Sequence, residues 1–256
     1  MSGFFGRLLN QWIEVIEWLD PTHDTMVYRF PVANNEIKMG ARLTVREGQA
    51  AAFVNEGQIA DVFGPGLYTL STQNMPVLTM LKSWPHGFNS PFRAEVYFVS
   101  TRQFTDLKWG TANPIPMRDP DFGIVRVRAF GSYSIRIADP ARFIREIVGT
   151  DGLFQTTEIS GQLRDFVVSE FTNALGELKI PVLDLAANYK QLSQTIQTSV
   201  AGHFEAYGLS IVRFLIENIS VPPEVEAAID RRASMGAVGV GDYMSFQAAN
   251  AMEKGA

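Results

Sequence analysis

The chain has 256 residues, 46% hydrophobic, 11% aromatic and 19% charged, which is enough apolar material for a packed interior and too much for a mainly disordered chain. Twenty-two basic against 27 acidic residues leave a formal charge of −5, so phosphate backbones find no global attraction and nucleic acid is not an expected partner. The absence of cysteine excludes disulfides, thiolate zinc sites, cysteine nucleophiles and palmitoyl anchors, while His23, His86 and His203 lie far apart with no metal-ligand spacing.

Residues 4 to 19, FFGRLLNQWIEVIEWL, carry the clearest periodic signal. At about 100° per residue, Phe4, Phe5, Leu8, Leu9, Trp12, Ile13, Val15, Ile16 and Leu19 fall within an arc of about 180°, opposite Gly6, Arg7, Asn10, Gln11, Glu14 and Glu17. The spacing predicts an amphipathic helix with Trp18 as its apolar outlier. Asp20-Pro21 closes it, because the residue before proline is pushed out of the helical region. The same polar residues break up any export signal, Ser2 removes a myristoylation signal, and no apolar run approaches the roughly 18 to 20 residues that span hydrocarbon. A soluble or peripheral protein is expected.

From Met26 to about Thr72 the pattern changes to short β-rich stretches, MVYRFP, ARLTVRE, QAAAFVNE, QIADVF and LYTLST. Asn34-Asn35, Glu56-Gly57 and Gly64-Pro65-Gly66 break them, and connections this short predict an antiparallel meander. Residues 73 to 93 hold three prolines with Met75, Leu78, Met80, Leu81, Trp84, Phe88 and Phe92, too apolar for a solvated loop. Strands resume at 95–100, 104–110 and 122–137. In the last of these, Ile124, Val125, Val127, Ala129, Tyr133, Ile135 and Ile137 mostly alternate with Arg126, Arg128, Ser132, Ser134 and Arg136, predicting one buried and one wet face.

Helices follow. Asp139-Pro140 is an N-cap with proline at the first helical position, and Gly149 ends that helix. A second runs from about Thr157 to Leu175, with Ile159, Leu163, Phe166, Val167 and Phe171 at helical spacing. A third runs from Asp184 to a stop at Gly208, with Leu185, Tyr189, Leu192, Ile196, Val200, Phe204 and Tyr207 at intervals of three and four. Residues 209–221 read as a strand, and Pro222-Pro223-Glu224 opens a last helix. The expected organisation is an N-terminal amphipathic helix (1–20), a strand-rich first subdomain (26–115), a second with a mixed sheet and packed helices (116–235), and a flexible or helical tail (236–256).

This order, with the strings VREGQAAAFVNEGQIADVFGPGLYTL (45–70), VRVRAFGSYSIRIADPARFIREIVG (125–149) and YGLSIVRFLIENISVPPEVEAAIDRR (207–232), resembles the SPFH superfamily, also called band 7 or prohibitin-homology domains. Gly48, Gly57, Gly64, Pro65 and Gly66 match its opening hairpins, Asp139 and Pro140 its strand-to-helix junction, and Pro222, Pro223 and Glu224 its last helix. The likeness covers about residues 40 to 235, and residues 95–123 look most like the bacterial virion-core-like branch. The resemblance implies an α+β fold and a membrane-associated, oligomerising scaffold rather than a catalyst. Large-cage members carry a long C-terminal coiled coil and the virion-core-like branch often ends in a cysteine-rich zinc ribbon; this sequence shows neither sustained heptads nor cysteine.

Two tryptophans and two phenylalanines on the first helix suit a headgroup boundary, with the chain's own sheet or a neighbouring subunit as alternative homes. One Arg and the amino terminus face Glu14, Glu17 and Asp20, so insertion would be driven by apolar area, at about 25 cal/mol per Å². The residues expected to meet lipid or a partner are Phe4, Phe5, Leu8, Leu9, Trp12, Ile13, Ile16 and Leu19. On the 75–92 loop Leu78, Leu81, Trp84 and Phe88 form a second candidate surface, a loop folded over its own core being the favoured account. Acid pairs such as Glu14 with Glu17 and Asp119 with Asp121 suit solvated or turn positions rather than catalysis. Neither a GxSxG elbow, a Walker loop nor a βαβ context for Gly236, Gly239 and Gly241 is present. Arg126, Arg128 and Arg136 read as a solvated sheet face, with cross-subunit ion pairs as the alternative.

The expected function is therefore non-enzymatic, without cofactor or metal: a self-associating peripheral scaffold on the cytoplasmic face of the cell membrane that organises membrane or envelope-stress proteins. The competing expectation is a soluble oligomeric adaptor whose N-terminal helix makes subunit or partner contacts.

Overall fold

The computed structural model describes residues 14–32, 36–37, 40–55, 57–70 and 92–237. Two compact units share the chain. The first comprises residues up to Leu107, Tyr133–Val167 and Gln197–Phe214; the second comprises Lys108–Ser132, Val168–Ile196 and the residues from Leu215 onward. The architecture is α+β, as expected.

In the first unit a five-stranded antiparallel sheet has the order β13 (Leu153–Gln155), β2 (Thr25–Phe30), β9 (Glu95–Ser100), β5 (Gln49–Asn55), β6 (Gln58–Phe63). Its register puts Tyr28, Phe98, Ala51 and Phe63 in one cross-strand row and Phe30, Val96 and Phe53 in the next, all on one face. A second sheet, β1 (Val15–Glu17), β4 (Arg42–Val45) and β7 (Gly66–Thr69), supplies Ile16, Leu43 and Val45 to the same apolar cluster. Side chains alternate across a strand, so both sheets bury one face in a common core. The other face of the larger sheet is buried too, through Val27, Val99, Ala50, Ala52 and Tyr97. A two-stranded pairing joins β3 (Glu36–Ile37) to β8 (Phe92–Arg93).

The predicted meander is corrected here. β5 and β6 do form a sequential hairpin across Gly57, whose φ of +77° suits glycine. β4, however, pairs with β7 and β1 rather than with β5, and β2 pairs with β9 and β13. Short connections bring strands close, but apolar residues on consecutive strands can be shared between two packed sheets, and closeness in sequence does not distinguish that from one continuous sheet.

The long strand β12 (Gly123–Ile137) pairs with β10 (Gln103–Gly110), β11 (Ile115–Asp119) and β14 (Leu209–Ser220). Val125, Val127 and Ala129 are buried while Arg126 and Arg128 are exposed, which is the predicted alternation. Three positions correct it: Ile124, expected on the buried face, is 75% exposed at the start of the strand, and Ser132 and Ser134, expected on the wet face, are buried, because from Gly131 to Ile135 both faces of the strand are covered. Asp139 caps α1 (Pro140–Phe143) by accepting the Arg142 N–H at 2.9 Å, and the helix continues as a π-turn, Ile144–Val148, to Gly149 at φ +60°. In α2 (Thr156–Leu178), Ile159, Leu163, Val167 and Phe171 are buried. The predicted third helix starts later than expected. Two 3-10 turns, Val182–Asp184 and Ala186–Asn188, precede α3 (Tyr189–Ala206), whose Leu192, Ile196, Val200 and Phe204 are fully buried. α4 spans Pro223–Ala237.

Asp119 and Asp121 do lie in a turn. The buried Asp119 carboxylate accepts N–H groups of Asp121 (2.8 Å) and Phe122 (2.9 Å) on one oxygen and of Val182 (2.7 Å) on the other. Burial alone would raise its pKa, but these three donors and the Arg232 charge hold it below the ordinary carboxylate value. It is a structural clamp for the second unit.

Tyr133 offers the converse case. Its ring meets Phe204 edge-on at 6.2 Å, but its buried hydroxyl has no hydrogen-bond partner among the described residues, and burial raises its pKa against the opposing charge of Arg164. Because an unpaired buried hydroxyl costs free energy while the ring keeps its packing, Tyr133→Phe is expected to leave stability unchanged or raise it by about 1 kcal/mol. Urea unfolding checks this, and a clear loss would mean the hydroxyl is bonded.

Candidate functional site

The candidate site is the platform on the first unit where residues 14 to 21 join it. The β-branched pair Val15-Ile16 opens a strand with period-two alternation: Val15 is 50% exposed, Ile16 fully buried, Trp18 6% and Leu19 66% exposed. β1 lies parallel to β4, pairing Val15 with Arg42, Ile16 with Leu43 and Glu17 with Thr44, and the Arg42 N–H donates to the Glu14 carbonyl at 2.8 Å.

This corrects the predicted helix at its C-terminal end. On a helical wheel Val15, Ile16 and Leu19 share one face and Trp18 stands apart. The strand instead sends Ile16 and Trp18 inward, and leaves Val15 and Leu19 outside. Trp18 stacks on Tyr28 at 5.8 Å and tilts against Phe98 at 6.2 Å. Ile16 is thus a core residue of its own unit and is not available to lipid or a partner, whereas Leu19 is.

Polar contacts fasten the strand beyond its backbone ladder. Gln49 Nε2 donates to the Trp18 carbonyl at 3.1 Å, and Arg46 meets the Glu17 carboxylate at 2.8 Å. The Asp20 carboxylate, 8% exposed, accepts from Arg102 Nη2 (2.8 Å), Thr22 N–H (2.9 Å) and Thr22 Oγ1 (2.7 Å). Arg102 Nη2 also reaches the Thr22 carbonyl at 2.7 Å. The Glu17–Arg46 pair is half exposed and screened, so it adds little; the nearly buried Asp20 is the stronger tie. Around these residues opens a cavity of about 420 Å³ bounded by Trp18, Leu19, Pro21, Arg46, Gln49 and Arg102. Every arginine in its wall already faces an acid, so it holds no uncompensated charge for an anion.

The outward face of the β1–β4–β7 sheet carries Val15 and, on β7, Leu67, which is 67% exposed. Nothing in the sequence singles out Leu67: its place in LYTLST shows alternation but not which face meets solvent. The Asp20–Arg102 clamp was equally hidden, because 82 residues separate its members. Phe4, Phe5, Leu8, Leu9, Trp12 and Ile13 lie outside the described residues, as do Leu78, Leu81, Trp84, Phe88 and His86. His23 is exposed, and His203 stacks on Phe166 at 5.0 Å. Among the described residues no cluster of acids and histidines could hold a metal, and no helix is long and apolar enough to cross a membrane.

The two packed sheets, the long β12 strand and the helices that follow it define the class: the chain belongs to the SPFH domain-Band 7 family, whose model matches residues 27–237. It is 31% identical over 241 residues to the uncharacterized protein YdjI of Bacillus subtilis (strain 168), an alignment that covers 93% of this chain and 72% of that protein. The family model begins after the platform's first strand.

Proposed function

We propose that this protein is a peripheral membrane-associated scaffold that self-associates and organises membrane or stress-response proteins on the inner face of the cell membrane. The family is typically one of membrane-associated scaffolds and is generally non-enzymatic, which supports the class. The observation that carries the reading is the platform: an amphipathic stretch, residues 4–13, runs directly into a strand that is locked to the first unit and whose outward side carries exposed Val15 and, just beyond the strand, Leu19, on either side of the Arg46-paired Glu17. An amphipathic segment attached this firmly transmits its surface affinity to the whole domain. Partial burial of its aromatic side chains would drive binding at about 25 cal/mol per Å², with little help from charge.

Trp12→Glu is expected to abolish co-sedimentation with phosphatidylethanolamine/phosphatidylglycerol vesicles while leaving far-ultraviolet dichroism intact. Unchanged sedimentation of the variant removes the proposal. The alternative, a soluble adaptor whose N-terminal segment docks on another subunit, is separated by sizing a chain lacking residues 1–13 without lipid: collapse to monomer favours the adaptor. The cut belongs at 13 because Ile16 and Trp18 are core residues, and removing them would unfold the unit rather than test it.

A further inference from the structure

The second unit carries a basic sheet face. The antiparallel register of β11 and β12 sets Pro116 opposite Arg126 and Arg118 opposite Ile124, so these side chains share one face with Arg128 and Phe130. All six are exposed, Ile124 at 75% and Phe130 at 49%. Arg118, Arg126 and Arg128 make no ion pair among the described residues, and the nearby acids are engaged elsewhere: Asp119 by backbone donors, Asp121 by Arg232, and Glu217 by Lys108. In a chain of charge −5, three such arginines between two exposed apolar side chains are a local inversion of sign.

The same unit carries the complement. On α4, Glu226 and Asp230 stand one turn apart and exposed, without an ion pair among the described residues, beside the half-buried Val225 and Ile229. Four residues of helix rise about 6 Å, and two residues of strand advance about 6.6 Å, so the Glu226–Asp230 spacing matches the Arg126–Arg128 spacing. The adjacent Val225–Ile229 row offers apolar surface for Ile124 and Phe130.

We infer that the β11–β12 face of one copy receives the α4 acidic ridge of a second copy, a head-to-tail contact that pairs Arg126 and Arg128 with Glu226 and Asp230. The inference rests on the self-association proposed above and names the surfaces that perform it. The two patches differ, so the contact is heterologous and each copy keeps a free patch for the next, which builds a ring or a filament rather than a closed twofold dimer. Charge complementarity of this kind sets register and partner choice, and apolar contact supplies area.

Sedimentation velocity of the full chain at low ionic strength tests it. The Arg126→Glu/Arg128→Glu and Glu226→Arg/Asp230→Arg variants are each expected to weaken self-association at least tenfold, because the altered side chains are exposed and the fold is kept. Mixing the two variants, or combining all four changes in one chain, is expected to restore it. A wild-type oligomer that neither reversal weakens overturns the contact while leaving self-association standing; a wild-type chain that stays monomeric overturns both. If the arginine variant loses vesicle binding but keeps its oligomer, the face belongs to anionic lipid and the inference fails.

Discussion

Replacing Trp18 with alanine is expected to cost about 4 kcal/mol of folding free energy, whereas Leu19→Ala, one residue on, changes it by less than about 0.5 kcal/mol. Trp18 fills the space between Tyr28 and Phe98 in a core shared by two sheets, and β-sheet neighbours cannot close a void of that size without moving their own ladders. Leu19 is 66% exposed and gives up little. With a typical domain stability of about 5 to 15 kcal/mol, the first loss is large enough to move a urea midpoint by more than about 1 M. The contrast separates strand from helix directly. Were residues 15–19 helical with Leu19 on the buried arc and Trp18 outside it, the two effects would exchange, and that result would undo the platform described above.

The reason the helix reading failed there is instructive. Apolar residues at Ile13, Val15, Ile16, Trp18 and Leu19 satisfy a 3.6-residue period at most positions and a 2-residue period only in the separate pairs Ile13/Val15 and Ile16/Trp18, so the longer window outvotes the shorter one. What decides locally is β4, whose Leu43 offers a core-facing partner for Ile16, a fact absent from the first twenty residues. Elements whose signals are local are legible: the Asp139 cap, the stops at Gly149 and Gly208, the α2 core face, the Leu192-to-Phe204 face of α3 and the β12 alternation from Val125 to Ala129 match, whereas Ser132 and Ser134 are buried by neighbours that the strand's own pattern does not reveal. Gly208 shows why. It sits at φ +75°, its carbonyl accepts both Ala138 and Asp139 N–H groups, and a Cβ there would lie 2.5 Å from the Asp139 carbonyl oxygen. Sheet partnership and the Asp20–Arg102 clamp depend on residues far apart in sequence, and alternation alone cannot name the partner strand. The Arg126 and Arg128 stripe is visible as a pattern, but that the acids near it are engaged elsewhere emerges only once the strands are paired.

Gly131→Ala is expected to be the most damaging single methyl in the second unit, costing about 4 kcal/mol. Nothing in the sequence marks it, since Phe130-Gly131-Ser132 reads as an unremarked step in a long strand. In the fold a Cβ at this position would collide with the Leu215 backbone carbonyl and come within 2.9 Å of Trp109 Nε1. That carbonyl accepts the indole N–H at 3.1 Å, and the indole, only 3% exposed, packs on Phe171 at 5.1 Å. One methyl therefore pushes β14 away from β12, breaks a buried hydrogen bond and loosens an aromatic pair. Backbone cannot yield as a flexible side chain would, so the cost exceeds ordinary overpacking. Gly161→Ala provides the control: it lies within α2, and the space a Cβ would take there is open to 4 Å. Alanine at that position is expected to stabilise by about 0.5 to 1 kcal/mol through helix propensity and a less flexible unfolded chain. Thermal unfolding of the two variants should move in opposite directions, and the Gly131 variant should also lose near-ultraviolet tryptophan dichroism. A Gly131→Ala protein as stable as the wild type would show that β12 and β14 are not in close contact at this point.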